Sequence, residues 1–276
     1  MTLRRIRGLF AITAVLAVLA ACLTGCSKNA PRTYLLHAPA CAAPCAPRPL
    51  VLVLHGLGET ASEAQSLTNF NQYADANGFV VAYPQALATD VSNTTAWNAG
   101  TSTAPTQCCA AATADDTSWL AGLPKTISAR VPIDLKRVYI AGFSNGGMMA
   151  WKAACERPDV FAAAEVVSGS LLVPCTKTVV HILDAHDPTN DCIVPYHGGY
   201  TCGAKPTVML PAKFPNSANE AAVVGKGSII DFVPLTSSHT WPKLVLEGVT
   251  NPTTPTAYPE HAAEFGWTFM QQWSLR

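Results

Sequence analysis

The chain has 276 residues, of which 49% are hydrophobic and only 13% charged, with 18 basic side chains set against 18 acidic ones. A neutral balance with no basic patch and no basic-aromatic interleaving excludes a nucleic-acid partner. The low charge and high apolar content exclude a disordered chain, and the length suffices for one substantial core.

Residues 1–25 read as an export signal. Arg4, Arg5 and Arg7 form a positive start, and residues 9–22 form an apolar run too short to span a bilayer comfortably. Leu23-Thr24-Gly25-Cys26 resembles a bacterial lipobox, which makes Cys26 the expected lipidated residue and 26–31 a short tether. The expected location is the outer face of the cell membrane, held there by lipid alone, or the medium after plain secretion. Removing 1–25 takes away three arginines and no acids, leaving 15 basic and 18 acidic residues and a formal charge of −3. Eight cysteines follow: Cys41, Cys45, Cys108, Cys109, Cys155, Cys175, Cys192 and Cys202. An even set in an exported chain points to disulfides, with Cys192–Cys202 and Cys155–Cys175 as the expected pairs. Zinc would want clustered C-x-x-C and H-x-x-x-H spacings, which are absent.

Residues 32–276 read as one domain. An edge strand is expected at 33–37. The continuous apolar run 50–54 suits a central parallel strand. It is followed by His55-Gly56-Leu57-Gly58 and a helix over 60–77. A strand at 79–83 closes at Pro84. After a long loop, 85–115, comes a helix over 116–130 with Asp115 and Asp116 at its start as caps and Pro124 expected to bend or split it. A strand at 138–141 runs into Gly142-Phe143-Ser144-Asn145-Gly146, and a helix follows over 145–156. Further strands are expected at 163–167, 179–183 and 228–235. A second long loop spans 195–227, and a last helix covers 261–273, where Ala262, Phe265, Phe269 and Trp273 make one apolar stripe. Strands alternating with helices give an α/β class with a mainly parallel central sheet flanked by helices.

The strand-turn-helix context of G-x-S-x-G is that of a nucleophilic serine at a strained turn, with glycines removing the clash two residues to either side. Ser144 is therefore the candidate nucleophile. It needs a base, an orienting acid and two oxyanion donors, and in an α/β-hydrolase fold these follow in the order Ser, acid, His. Of seven histidines, His197, His239 and His261 are the ones that lie well beyond Ser144 with an acid between. His239 follows the last expected strand, where this fold carries its base. His197 sits too close to the candidate acids, and His261 opens the last helix as a capping or surface residue. Asp184, Asp187 and Asp191 all qualify as the acid, and chemistry alone does not separate them. The oxyanion donors would be the amides of Asn145 and Leu57, with Gly58 as the second choice. His55 is read as a prop of that loop.

Taken together, these motifs resemble the secreted esterases that include polyhydroxybutyrate depolymerase-like proteins, feruloyl esterases and acetylxylan esterases, from about residue 50 to the C-terminus. The resemblance rests on Leu54-His55-Gly56, Ala82-Tyr83-Pro84, Trp97-Asn98-Ala99-Gly100 followed by Cys108-Cys109, Asp115-Asp116, residues 142–149 and His239-Thr240-Trp241-Pro242. Family members carry Asp-x-x-Val-Pro-Tyr at the acid. Asp191, Val194, Pro195 and Tyr196 match it, so the resemblance favours Asp191. Asp184-Ala185-His186-Asp187 stretches the usual spacing and keeps Asp187 as the alternative. What the resemblance implies is an α/β-hydrolase fold and serine ester hydrolysis through an acyl-enzyme, by a monomer needing no cofactor and no metal. The substrate would be a small or polymeric ester. Trp97, Tyr196 and Trp241 are expected to form a substrate platform, while Trp119 is expected to pack within its helix. Acyl transfer in the cell envelope and a non-catalytic surface lipoprotein are the rival readings.

Overall fold

A computed structural model describes residues 31–89, 93–100, 114–173, 175, 178–186, 191, 224–235, 239–241 and 261–276. Among the described residues, seven strands form one sheet: β1 (Tyr34–His37), β2 (Arg48–Leu54), β3 (Val80–Pro84), β4 (Ile133–Phe143), β5 (Ala163–Val167), β6 (His181–His186) and β7 (Ile229–Pro234). Their order is β1-β3-β2-β4-β5-β6-β7, with β1 antiparallel to β3 and every other pairing parallel. The mainly parallel sheet and the edge position of β1 are as the sequence predicts, while the antiparallel direction of β1 is a finding of the structure.

Period-2 alternation sends successive side chains of each strand to opposite faces. Leu50, Leu52 and Leu54 of β2 join one buried cluster, and Val51 and Val53 join the other. The first cluster is covered by α3 (Asp116–Ser128) and α4 (Asn145–Glu156). The second is covered by α1 (Ala61–Leu67), α2 (Phe70–Asn77) and α5 (Ala262–Met270). Both faces of the sheet are thus buried, which explains why its strands read as unbroken apolar runs.

Three expectations are corrected. The helix expected over 60–77 is two helices. It starts with a capping box between Thr60 and Glu63, and it ends where the Thr68 hydroxyl bonds back to Ala64 O at 2.7 Å and Asn69 turns left-handed at φ 59°. Conversely, α3 is not split by Pro124. Its face formed by Leu120, Leu123, Pro124 and Ile127 is buried, and that packing outweighs one lost backbone hydrogen bond. Finally, β6 runs three residues further than expected, which places Asp184 within the strand instead of beyond its end. The structure forms the expected Cys155–Cys175 disulfide and a further one, Cys41–Cys45, while Cys192 and Cys202 lie outside the described residues.

Candidate active site

The site lies at the C-terminal ends of the parallel strands, where open α/β sheets present their loops. At the end of β4, Ser144 takes φ 53°, ψ −118°, a backbone conformation costly for any residue with a Cβ. Two features hold it there. The Ser144 N–H donates to Val167 O at the end of β5 (2.9 Å), and the chain packs so tightly that a Cβ on Gly142 would sit 2.3 Å from Gly146 O. A Cβ on Gly146 would lie 2.5 Å from the backbone oxygens of Leu54 and His55. Both glycines are therefore demanded by contact with backbone, which cannot move aside. The serine stands at the N-terminal end of α4, where the helix dipole favours negative charge.

The structure brings three of the sequence-predicted residues together. The Ser144 hydroxyl lies 2.9 Å from His239 Nε2. His239 Nδ1 lies 2.9 and 3.0 Å from the two carboxylate oxygens of Asp191. With Nδ1–H donating to the carboxylate, Nε2 is left as acceptor for the serine proton. The Asp191 side chain is fully buried and that of His239 is 11% exposed. The Phe143 ring flanks the imidazole at a centroid distance of 5.0 Å, a contact the sequence reading missed.

Asp184 is excluded as the acid. Its side chain is buried within the sheet and accepts from His186 Nδ1 at 2.7 Å, on the face of β6 that joins the α3/α4 core. Asp187 lies outside the described residues, as do Tyr196 and Cys26.

The loop after β2 is braced at nearly every amide. Gly56 N–H donates to the Glu59 carboxylate (2.7 Å), Gly58 N–H to Thr95 O (2.8 Å) and Glu59 N–H to Gly56 O (3.3 Å). Gly58, the second choice as an oxyanion donor, is therefore committed elsewhere. Among the described residues, Leu57 N–H is left without an acceptor. His55 does prop this loop. It is buried, its Nδ1–H donates to Gly56 O (2.8 Å), and its Nε2 accepts from Ala86 N–H (3.1 Å). Burial pushes its pKa below the ordinary imidazole value, in keeping with this neutral tautomer.

Trp97 is not a substrate platform, because it is fully buried. Its indole N–H donates to His55 O (2.9 Å), and its backbone makes a reciprocal pair with the Asn145 side chain. Trp97 N–H donates to Oδ1 (2.7 Å) and Asn145 Nδ2 donates to Trp97 O (3.1 Å). No single-sequence signal distinguishes a tryptophan that braces a loop from one that faces substrate. Trp241 is half-buried near His239 and packs on Phe70, 6.1 Å between rings. Asp115 caps α3 through Ser118 N–H, as expected, whereas Asp116 turns inward and does not cap.

The family model described as Esterase PHB depolymerase matches residues 32–187. NocK of Nocardia uniformis subsp. tsuyamanensis, which carries an esterase name, is 38% identical over 145 residues, covering 52% of this chain and 39% of that protein. Feruloyl esterase B of Piromyces equi is 31% identical over 176 residues, covering 60% of this chain and 30% of that protein. The chain thus spans well under half the length of these relatives. Among solved structures, the Bacillus cereus carboxylesterase superposes with a TM-score of 0.53 over 77% of this chain and 88% of that chain, at 13% identity. At that identity the likeness is one of fold.

Proposed function

This chain belongs to the Esterase PHB depolymerase family, and from that premise we propose that it is a serine carboxylic ester hydrolase working through Ser144, His239 and Asp191. The observation that carries the reading is the continuous line from Asp191 through His239 to Ser144, with both links at about 3 Å. His239 Nε2 takes the Ser144 proton as Oγ attacks the ester carbonyl. Asp191 holds the imidazole tautomer and stabilises its cation. The oxyanion of the tetrahedral intermediate is met by the amides of Leu57 and Asn145. His239 then returns the proton to the departing alcohol, leaving an acyl-serine. The same imidazole activates water, which releases the acid and restores the serine.

For substrate, aryl and polymeric esters of the feruloyl, acetyl-xylan or hydroxybutyrate kind fit the family. Trp241, and by sequence Tyr196, are the aromatic surfaces proposed to meet them. Hydrolysis of p-nitrophenyl acetate by the purified domain is expected, with the Ser144→Ala variant losing it and losing labelling by a fluorophosphonate probe. A variant as active and as readily labelled as the parent would overturn the assignment. A panel of methyl ferulate, acetylated xylan and hydroxybutyrate oligomers then ranks the substrate classes.

A further inference from the structure

The two proposed oxyanion amides lie on separate elements, Leu57 on the loop after β2 and Asn145 at the start of α4. Trp97 is bonded to both sides at once. Its indole fixes the carbonyl of His55, two residues before Leu57, and its backbone pairs with the side chain of Asn145. Trp97 is in turn held from behind. The next residue, Asn98, donates its N–H to Asp116 Oδ2 at 2.6 Å and its side-chain amide to Ala114 O at 2.9 Å, while its carbonyl accepts from Lys152 Nζ at 2.8 Å.

Asp116 is 1% exposed, a costly place for a carboxylate unless it is paired. Its second oxygen accepts from Arg32 Nη2, and the Arg32 guanidinium lies 3.8 Å from the Trp119 ring centroid and 5.9 Å from that of Trp97. The Trp97 and Trp119 rings stack at 6.4 Å. Arg32 itself is mostly covered, with 13% of its side chain exposed. The ion pair therefore sits behind the site and, among the described residues, is linked to it through Asn98, Trp119 and Trp97.

We propose that Asp116, with its charge balanced by Arg32, is a positioning residue for ester hydrolysis, setting the separation of the Leu57 and Asn145 amides through Trp97. The proposal rests on the esterase reading above. An oxyanion hole acts on the transition state and little on bound substrate, so slackening it lowers kcat and leaves KM nearly unchanged. Misplacement by about 1 Å costs on the order of 100-fold in rate.

Three variants test it: Asp116→Ala, Arg32→Met and Trp97→Phe, the last keeping an aromatic, though smaller, ring and deleting the N–H that binds His55 O. Kinetics with p-nitrophenyl acetate are run beside inhibition by an alkyl trifluoromethyl ketone, which forms an oxyanion on the serine. Circular dichroism gives the folded fraction used to normalise both. The expected result is a fall in kcat of about 10- to 100-fold with KM within about threefold. Trifluoromethyl ketone affinity should fall by a similar factor. Fully folded variants with parental kcat would overturn the proposal, as would a loss that merely follows the folded fraction with ketone affinity intact. If Asp116→Ala does not fold, Trp97→Phe and Arg32→Met decide by the same two readouts. Failure of the esterase reading looks different: the parent itself would be inactive on esters, or Ser144→Ala would equal it.

Discussion

Among the described residues, Glu165 is a buried carboxyl group with neither oxygen hydrogen-bonded. It sits on β5 facing α5 and is fully buried. Burial pushes its pKa well above the ordinary carboxylate value. The group is then neutral in the folded protein at pH values where it is ionised in the unfolded chain. Between the unfolded and folded pKa values the unfolded state binds fewer protons, so stability falls as pH rises. The full contribution is present below the usual glutamate pKa and drains away above it. Glu165→Gln removes the ionisation at nearly constant shape. The gap in unfolding free energy between variant and parent should move in favour of the variant as pH rises from 4 to 8, by at most about 1.4 kcal/mol per pH unit. Urea titrations at several pH values measure it, and a gap that does not change with pH would contradict this account. At the same scale, Ser144, Gly142 and Gly146 are legible in sequence because a strained turn admits few residue types. Trp97 and Asp116 are not, because their identities suit many roles and only their neighbours choose one.

At the level of elements, α4 carries the strain of the Ser144 turn at its start and is fastened at its other end. The Cys155–Cys175 disulfide ties its last turn to the segment after β5, across 20 residues of sequence. A cross-link closing a loop of that length stabilises by ~3 kcal/mol in the chain-entropy account. The double variant Cys155→Ala, Cys175→Ala is expected to lose stability of about that size in guanidinium unfolding, while the folded protein keeps the proposed ester-hydrolysing activity, because α4 is also held by its buried face. A loss under about 0.5 kcal/mol would mean that residual structure in the unfolded ensemble already confines the segment. The elements also show where periodicity stops being informative. The interval 60–77 has one helical pattern, yet Thr68 and Asn69 divide it, because a side-chain bond to the backbone and a left-handed residue act locally and leave no trace in the spacing of apolar residues. The extra length of β6 was hidden for another reason. Asp184 and His186 interrupt the apolar run, yet both pair in the backbone ladders with neighbouring strands, and their buried side chains hydrogen-bond to each other.

For the molecule as a whole, the remaining expectation concerns where it resides. Among the described residues no helix is long and apolar enough to cross a membrane. The proposed attachment is the lipid on Cys26, read from Leu23-Thr24-Gly25-Cys26. Expressed in a bacterial host with a labelled fatty-acid precursor, the full chain should partition into detergent and carry the label, and Cys26→Ser should do neither. Equal behaviour of the two would rule out the anchor. The amino-acid order alone determined the class of sheet, its central strands, the two-sided core and the serine turn, since each follows from local periodicity or local sterics that a short stretch of chain carries within itself. The folded arrangement decided the rest. It set Asp191 and not Asp184 within reach of His239, left Leu57 and not Gly58 with an unclaimed amide, and turned Trp97 and Asp116 into a brace. Those outcomes depend on contacts between residues tens of positions apart, and which partners meet is settled only when every face of the sheet is covered at once.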